Sequence, residues 1–570
     1  MNKKNISVLL CILLVVVGCV FIFWDDDENV SNVSSIDSNV DLDNGEEKID
    51  WNSLDSLDIE LDNKSLNITD SGVYTISGSI NNGSIVVDTK GDVKLILNNV
   101  NIKNDNGPSI IIESANNIII ELMDGSKNIL SDGEDYDNTE YDGCIFSRDD
   151  LVLQGNGILE VFGKYADGIV SNDDLKIVSG TYIINSLDDG IRGKDSVYIV
   201  DGDISINSGA DGIKSTNDLA DGKGFVNIDS GIFNIVSGED GIQAESKLII
   251  NNGDFKIKTS DGSESVSSAI DKFFYSGSNY DDTSSKGLKS GDNLVIKNGT
   301  IEIDSKDDGV HSNNYVGISD SIITISSGDD GIHADEDIVI GNGIIKINKS
   351  YEGIEASNIT INDGEISIVA SDDGMNISGG NDGSSVNGRP GQNPMSSSSG
   401  TLTINDGIIY VNANGDGLDA NGNIVMNGGL VCVDGPTSNG NGPLDYDMSF
   451  DINGGEFIAV GSSGMAQNAS DSSKQYSVMF NLNDIYSDII KLVDTDGDIV
   501  FEYTPKKKYQ SVIISSNKLV KGSDYTLLIN NQEIDTINVS SITNTSGYSH
   551  GGMGGMPGGR PDGGRNPGRR

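Results

Sequence analysis

From about residue 65 the chain is written in short runs that alternate apolar and polar positions: GTYIIN, GDISIN, GIFNIV, GTIEID and GEISIV. A period of two is that of a strand with one buried face. The inward sets are then Tyr182 and Ile184, Ile204 and Ile206, Phe233 and Ile235, Ile301 and Ile303, and Ile366 and Ile368. Shorter runs such as LKI, IVI and ITI precede them across Gly or Asn-Gly turns. After about residue 465 the texture changes: QYSVMFNL, IIKLVDTDGDIVFEYTP, YQSVIISS and SDYTLLIN, within 475–537, predict a small antiparallel unit.

The alternating runs recur with a motif of glycine and an apolar residue, in most copies preceded by an acid. Aligned on the glycine, it occurs at Gly168, Gly190, Gly212, Gly241, Gly287, Gly309, Gly331, Gly353, Gly374 and Gly417. Successive spacings are 22, 22, 29, 46, 22, 22, 22, 21 and 43, so the period is 22, or about double where an insertion falls. One such unit holds three short strands and cannot bury its own apolar face. Stacked in parallel, the units form continuous inward ladders and pair every backbone group. The prediction is an all-β parallel β-helix of about 22 residues per rung, closed by a C-terminal antiparallel β cap that protects the open edge. A calcium-binding nonapeptide roll would need GGxGxD runs, and a propeller a period of about 40–50 residues; neither is present.

The expected organisation is a signal peptide or membrane anchor at 1–24, an Asp/Asn/Ser-rich disordered spacer at 25–62, the β-helix at 63–465, the cap at 466–540 and a Gly/Arg-rich disordered tail at 541–570. Lys3 and Lys4, the apolar run Ile6 to Trp24 and the acids from Asp25 to Glu28 orient the chain toward the outer face of the cell membrane. Val16-Val17-Gly18-Cys19 resembles a lipobox, so the tether is either an acylated Cys19 or an uncleaved anchor. Polar insertions at 259–285 and 378–400 predict surface loops, the first carrying Phe273, Phe274, Tyr275 and Tyr280.

Charge narrows the partners. With 88 acidic against 37 basic residues, a net −51, the chain excludes nucleic acid and anionic lipid unless cations intervene. Four cysteines, Cys11 and Cys19 near the start and Cys144 and Cys432 far apart, give neither a disulfide framework nor a zinc cluster.

Two columns of candidate residues follow from the repeat. Just before the glycines stand Asp188 and Asp189, Asp211, Asp240, Asp307 and Asp308, Asp329 and Asp330, and Asp372 and Asp373. A single turn carboxylate is an ordinary cap for backbone amides. Doubled acids stacked about 4.8 Å apart repel unless cations lie between them, and hard oxygen ligands in a turn suit Ca2+. Two residues past each glycine stand Arg192, Lys214, Gln243, Lys289, His311, His333, Glu355, Asn376 and Asp419. In the stretch SGDDGIHAD, Gly331 is expected to turn the chain, Ile332 and Ala334 to face inward and His333 outward. The second column is therefore expected as an outward polar stripe along one face, long enough for a polymer.

The run GCIFSRDDLVLQGNGILEVFGKYADGIVSNDDLKIVSGTYIINSLDDGIRGKDSVYIVDGDISINSGADGIKS, Gly143 to Ser215, resembles the carbohydrate-binding proteins of clostridia whose fold is a right-handed parallel β-helix similar to pectate lyases. TPKKKYQSVIISS and the Gly-rich Arg tail look like that family too, and the likeness spans roughly 65–540. It implies calcium in the acidic turns and binding of cellulose or pectic polysaccharide at the cell surface by a monomer, without established lyase activity. The alternatives are a calcium-dependent pectate-type lyase, with Arg192, Lys214 or Lys289 as base, and a structural wall or biofilm adhesin.

Overall fold

The structure is a computed structural model that describes residues 49–220, 222–265, 283–378 and 400–547. The N-terminal segment with Cys11 and Cys19, the spacer up to 48, Phe273, Phe274, Tyr275 and Tyr280 with the middle of both insertions, and the tail from 548 lie outside the described residues.

The alternating runs form parallel strands stacked rung on rung, and the fold is a parallel β-helix with three faces. One rung supplies Ile191–Gly193, Ser196–Ile199 and Asp203–Ser208, each paired in parallel with its equivalent in the next rung: Ile213–Ser215, Phe225–Ile228 and Ile232–Ser237. The inward residues expected from the alternation, Tyr182 to Ile368, are all buried in one continuous apolar cluster. Phe233 and Phe255 stack within it at 4.5 Å. Between the second and third faces an asparagine ladder runs from Asn362 through Asn405 and Asn427 to Asn453, each amide donating to the rung before. Insertions do not interrupt the ladders: Ile242–Ala244 pairs directly with Leu288–Ser290, and Ile354–Ile361 with Thr401–Ile404.

Two features depart from expectation. Strand Ser56–Asp62, inside the segment read as spacer, pairs with Gly72–Ile80 as the first rung, because Ile59 and Leu61 supply enough apolar side chain to join the core. Rungs lie upstream of the motif as well, within 63–465, since Asp167–Ser171 pairs with Gly143–Ser147 and that strand with Ile110–Ser114. Gly331 does not turn the chain through a left-handed backbone. It is required by close approach, because a Cβ there would sit 2.5 Å from the carbonyl oxygen of Gly353 in the next rung.

The C-terminal unit is antiparallel. Tyr509–Ser515 pairs with both Glu456–Gly461 and Ser477–Tyr486, and a four-stranded sheet of Ile499–Tyr503, Ile490–Val493, Asp524–Ile529 and Gln532–Asn538 packs on a second apolar cluster. Thr543–Ser546, past the expected cap boundary, pairs in parallel with residues 477–480. Fully buried Asp434 fixes this unit to the rungs, accepting from the hydroxyls of Tyr410 and Tyr503 and from the amide of Lys506.

Candidate functional site

The corner before the first face is built from the acid-glycine motif. At most rungs the acid next to the glycine points along the stack, and one of its oxygens accepts the backbone N–H at the same position of the following rung. Asp211 N donates to Asp189 Oδ1 at 3.0 Å, Asp240 N to Asp211 at 2.8 Å, Asp330 N to Asp308 at 3.0 Å and Asp416 N to Asp373 at 2.5 Å. This capping explains why the inner acids Asp189, Asp211, Asp240, Asp308 and Asp330 are buried. The outer members of the pairs differ: Asp188 is exposed, and Asp307, Asp329 and Asp372 are half-buried.

The second oxygen of the inner acid meets the residue two past the glycine, so the acid column and the polar stripe are one site. Arg192 lies 2.7 Å from Asp167, Lys214 2.6 Å from Asp211, Lys289 2.9 Å from Asp240 and His311 2.8 Å from Asp308. An outward, solvated stripe is therefore not what forms. The side chains do leave the core, as alternation requires, but the corner folds over them. His311, His333, Glu355 and Asn376 are buried, and Arg192, Lys214, Gln243, Lys289 and Asp419 half-buried. His311 and His333 stack at 4.9 Å, and His333 sits between Asp330, Asp335 and Glu355 at 3.2–3.4 Å.

The column changes character along its length. In the N-terminal part, carboxylates around Lys214 hold its ammonium above the ordinary range despite burial. Lys286, which replaces the acid before Gly287, is buried 2.6 Å from Asp308 and 3.0 Å from Asp307. Against the opposing effect of burial, Lys286 and then His311 hold Asp308 well below the usual carboxylate range. Burial nevertheless pushes Asp167 and Asp211 up to about 7, and from Glu352 onward it acts in the same direction. Burial, then Glu355 and Asp330, pushes Glu352 well up. Burial, then Asp372 and Asp419, pushes Asp373 up to about 8. Burial, then neighbouring carboxylates, raises Asp419 to about 7 and Asp416 to about 6. One oxygen each of Asp373, Asp416 and Asp419 lie within 4.8 Å of one another, a spacing that one metal ion spans. The groups Asp330, His333, Glu355; Asp307, Asp308, Asp329; and Asp167, Asp188, Asp189 reach the same proximity, but His333, Lys286 and Arg192 already stand among them.

A family model described as carbohydrate-binding domain-containing protein matches residues 62–331 and 329–484, most of the described β-helix. The chain belongs to this family. A carbohydrate-binding domain-containing protein of Acetivibrio thermocellus is 37% identical over 163 residues, 27% of this chain and 56% of that protein. The chain thus spans about half the length of the relative it matches. A solved structure described as a polysaccharide lyase-like protein from C. thermocellum, a gadolinium derivative, shares 36% identity, covers 36% of this chain and 91% of its own, and has a TM-score of 0.35.

Within this carbohydrate-binding family member, several corner residues were absent from the sequence reading: Asp167, Lys286, Glu352 and Asp416, together with Asp335 beside His333. The first four immediately precede aligned glycines, so the signal was present. A search for aspartate pairs passes over a position that tolerates Lys and Glu.

Proposed function

We propose that the chain binds polysaccharide outside the cell, pectic polygalacturonate or cellulose, with calcium held in its carboxylate corner. The observation that carries this reading is the crowding of Glu352, Asp373, Asp416 and Asp419 by one another and by Glu355, Asp330, Asp372 and Asp445. The donors fit the ion: they are all oxygen, and the neighbouring Asn376 carries a buried amide oxygen with no hydrogen-bond partner among the described residues. Calcium, when bound, neutralises the corner and offers coordination positions to sugar oxygens. The chain's own residues do the rest. Asp373 and Asp416 each spend one oxygen on the amide of the next rung, which locks their direction and leaves the other oxygen for a ligand.

Membership of a carbohydrate-binding family supports a sugar polymer as partner, and the likeness of Gly143 to Ser215 to the clostridial proteins supports a pectic or cellulosic one. A net charge of −51 makes a cation the natural bridge to an acidic chain. The N-terminal apolar run, or an acylated Cys19, keeps the protein at the outer face of the membrane. Binding without cleavage is favoured over a lyase because a proton-abstracting base must be neutral. Arg192 and Lys214 are instead held protonated by Asp167 and Asp211, and Lys289 is engaged by Asp240.

Co-sedimentation with polygalacturonate and with cellulose, in calcium or in EGTA, tests the reading while ultraviolet absorbance follows any unsaturated uronide. Retention in calcium, release by EGTA and no absorbance change are expected. Equal retention in EGTA contradicts the calcium dependence, no retention contradicts polysaccharide binding, and product formation makes the protein a lyase.

A further inference from the structure

The stack ends differently at its two extremities. At the C-terminal end Glu456–Gly461 is covered by Tyr509–Ser515. At the N-terminal end the first strand, Ser56–Asp62, pairs on one side with Gly72–Ile80, and among the described residues no strand pairs with its other side. Leu57 and Ile59 are the register partners of Tyr74 and Ile76, which lie in the core. They point inward at the very end of the stack, where Leu57 is 53% exposed and Ile59 half-buried. The chain just before them does not cover that end. Trp51 lies along the outside of the stack, its ring 5.1 Å from the ammonium of Lys94 in the third rung. A strand edge paired on one side only, with exposed apolar side chains beside it, is a template for another strand.

The outward row selects the occupant. Asp58, Glu60 and Asp62 alternate with the apolar positions and are exposed. A second copy pairing antiparallel about Ile59 brings Leu57 against Leu61 but sets Asp58 against Glu60 twice, and like charges directly opposite each other repel. The chain upstream carries Asp37, Asp41, Asp43, Glu46 and Glu47 and meets the same repulsion. Past residue 547 stand Arg560, Arg565, Arg569 and Arg570, but Pro561 and Pro567 fall among them, and proline cannot donate to a ladder. What fits is a strand with apolar residues over Leu57 and Ile59 and Lys or Arg at the alternate positions, opposite Asp58 and Glu60.

We propose that Ser56–Asp62 is a docking edge for an extended segment of a partner protein with alternating apolar and basic residues, which adds a strand to the open end of the stack. The edge is separate from the carboxylate corner and independent of polysaccharide binding.

The test titrates the full chain with a fluorescent peptide of alternating valine and lysine, as long as the strand, followed by anisotropy and by hydrogen–deuterium exchange at 56–62. Binding roughly tenfold tighter than that of a peptide of equal charge interrupted by proline, with slowed exchange at 56–62, is expected. In the double variant Asp58→Lys, Glu60→Lys the preference should pass to a peptide of alternating valine and glutamate. Equal binding of the proline-interrupted peptide, or binding with unchanged exchange at 56–62, assigns the affinity to net charge alone and overturns the proposal. A wild-type chain that sediments as a dimer with 56–62 protected makes a second copy the occupant and overturns it too. So does faster exchange at 56–62 when Arg560, Arg565, Arg569 and Arg570 are replaced by serine, which makes the chain's own tail the occupant.

Discussion

Two stretches of one corner share a backbone and differ in the side chains on either side of its glycine. Around Asp189, Asp211 and Asp308 the partners are Arg192, Lys214, Lys286 and His311; around Asp373 and Asp416 they are Asn376 and Asp419. Both stretches cap the next rung's amide with an inner carboxylate, so both keep the same turn. The difference teaches that the turn and the ligand site are separable. One oxygen of each acid belongs to the scaffold, and the residue two past the glycine decides whether the other is neutralised from within or from outside.

Breaking the shared scaffold should have the largest effect. Ile332 is fully buried in the core, and Ile332→Asp places an unpaired charge there at about 3–5 kcal/mol or more. Circular dichroism is expected to show lost β signal with and without calcium. Lys286→Met should come next, since it leaves buried Asp308 without its closest cation, a loss on the order of 3 kcal/mol. Because the variant makes the N-terminal stretch resemble the C-terminal one, calcium should recover part of the loss in urea titrations. Recovery of none would mean that the missing cation alone does not create a metal site. His333→Ala should cost about 1–3 kcal/mol by leaving Asp330 and Glu355 facing each other, where an exposed stripe residue would cost almost nothing.

The smallest effect is a pH dependence found in both stretches, since burial also pushes Asp167 and Asp211 up to about 7. Asp416, Asp419 and Asp373 have folded values of about 6, 7 and 8, above the ordinary carboxylate value. The folded chain therefore binds more protons than the unfolded one, and stability falls as pH rises through about 6–8. Melts in EGTA should show this decline, and saturating calcium should flatten it. A melting temperature that rises across this window in EGTA would contradict the sign.

The fold was legible because a 22-residue period and strict alternation each constrain it independently, and the inward residues from Tyr182 to Ile368 are where alternation puts them. The first rung was missed because SLDIELD carries only Leu57, Ile59 and Leu61 among acids, too little contrast against a polar leader. The candidate site was half legible. Residues on both columns could be numbered, but alternation reports only whether a side chain leaves the core, not whether a corner then covers it. His333 does leave the core and is nevertheless 1% exposed. That the two columns are one site follows from a three-residue offset across the corner, as between Asp308 and His311, which a period of two cannot reveal.

The contrast between the stretches is tested most directly by hydrogen–deuterium exchange of the intact protein in EGTA and in calcium. Calcium is predicted to slow exchange of the corner amides at 373–376 and 416–419, and to leave those at 189–192 and 211–214 unchanged. Equal slowing in both stretches, or slowing only in the one that carries Arg192 and Lys214, would contradict the account.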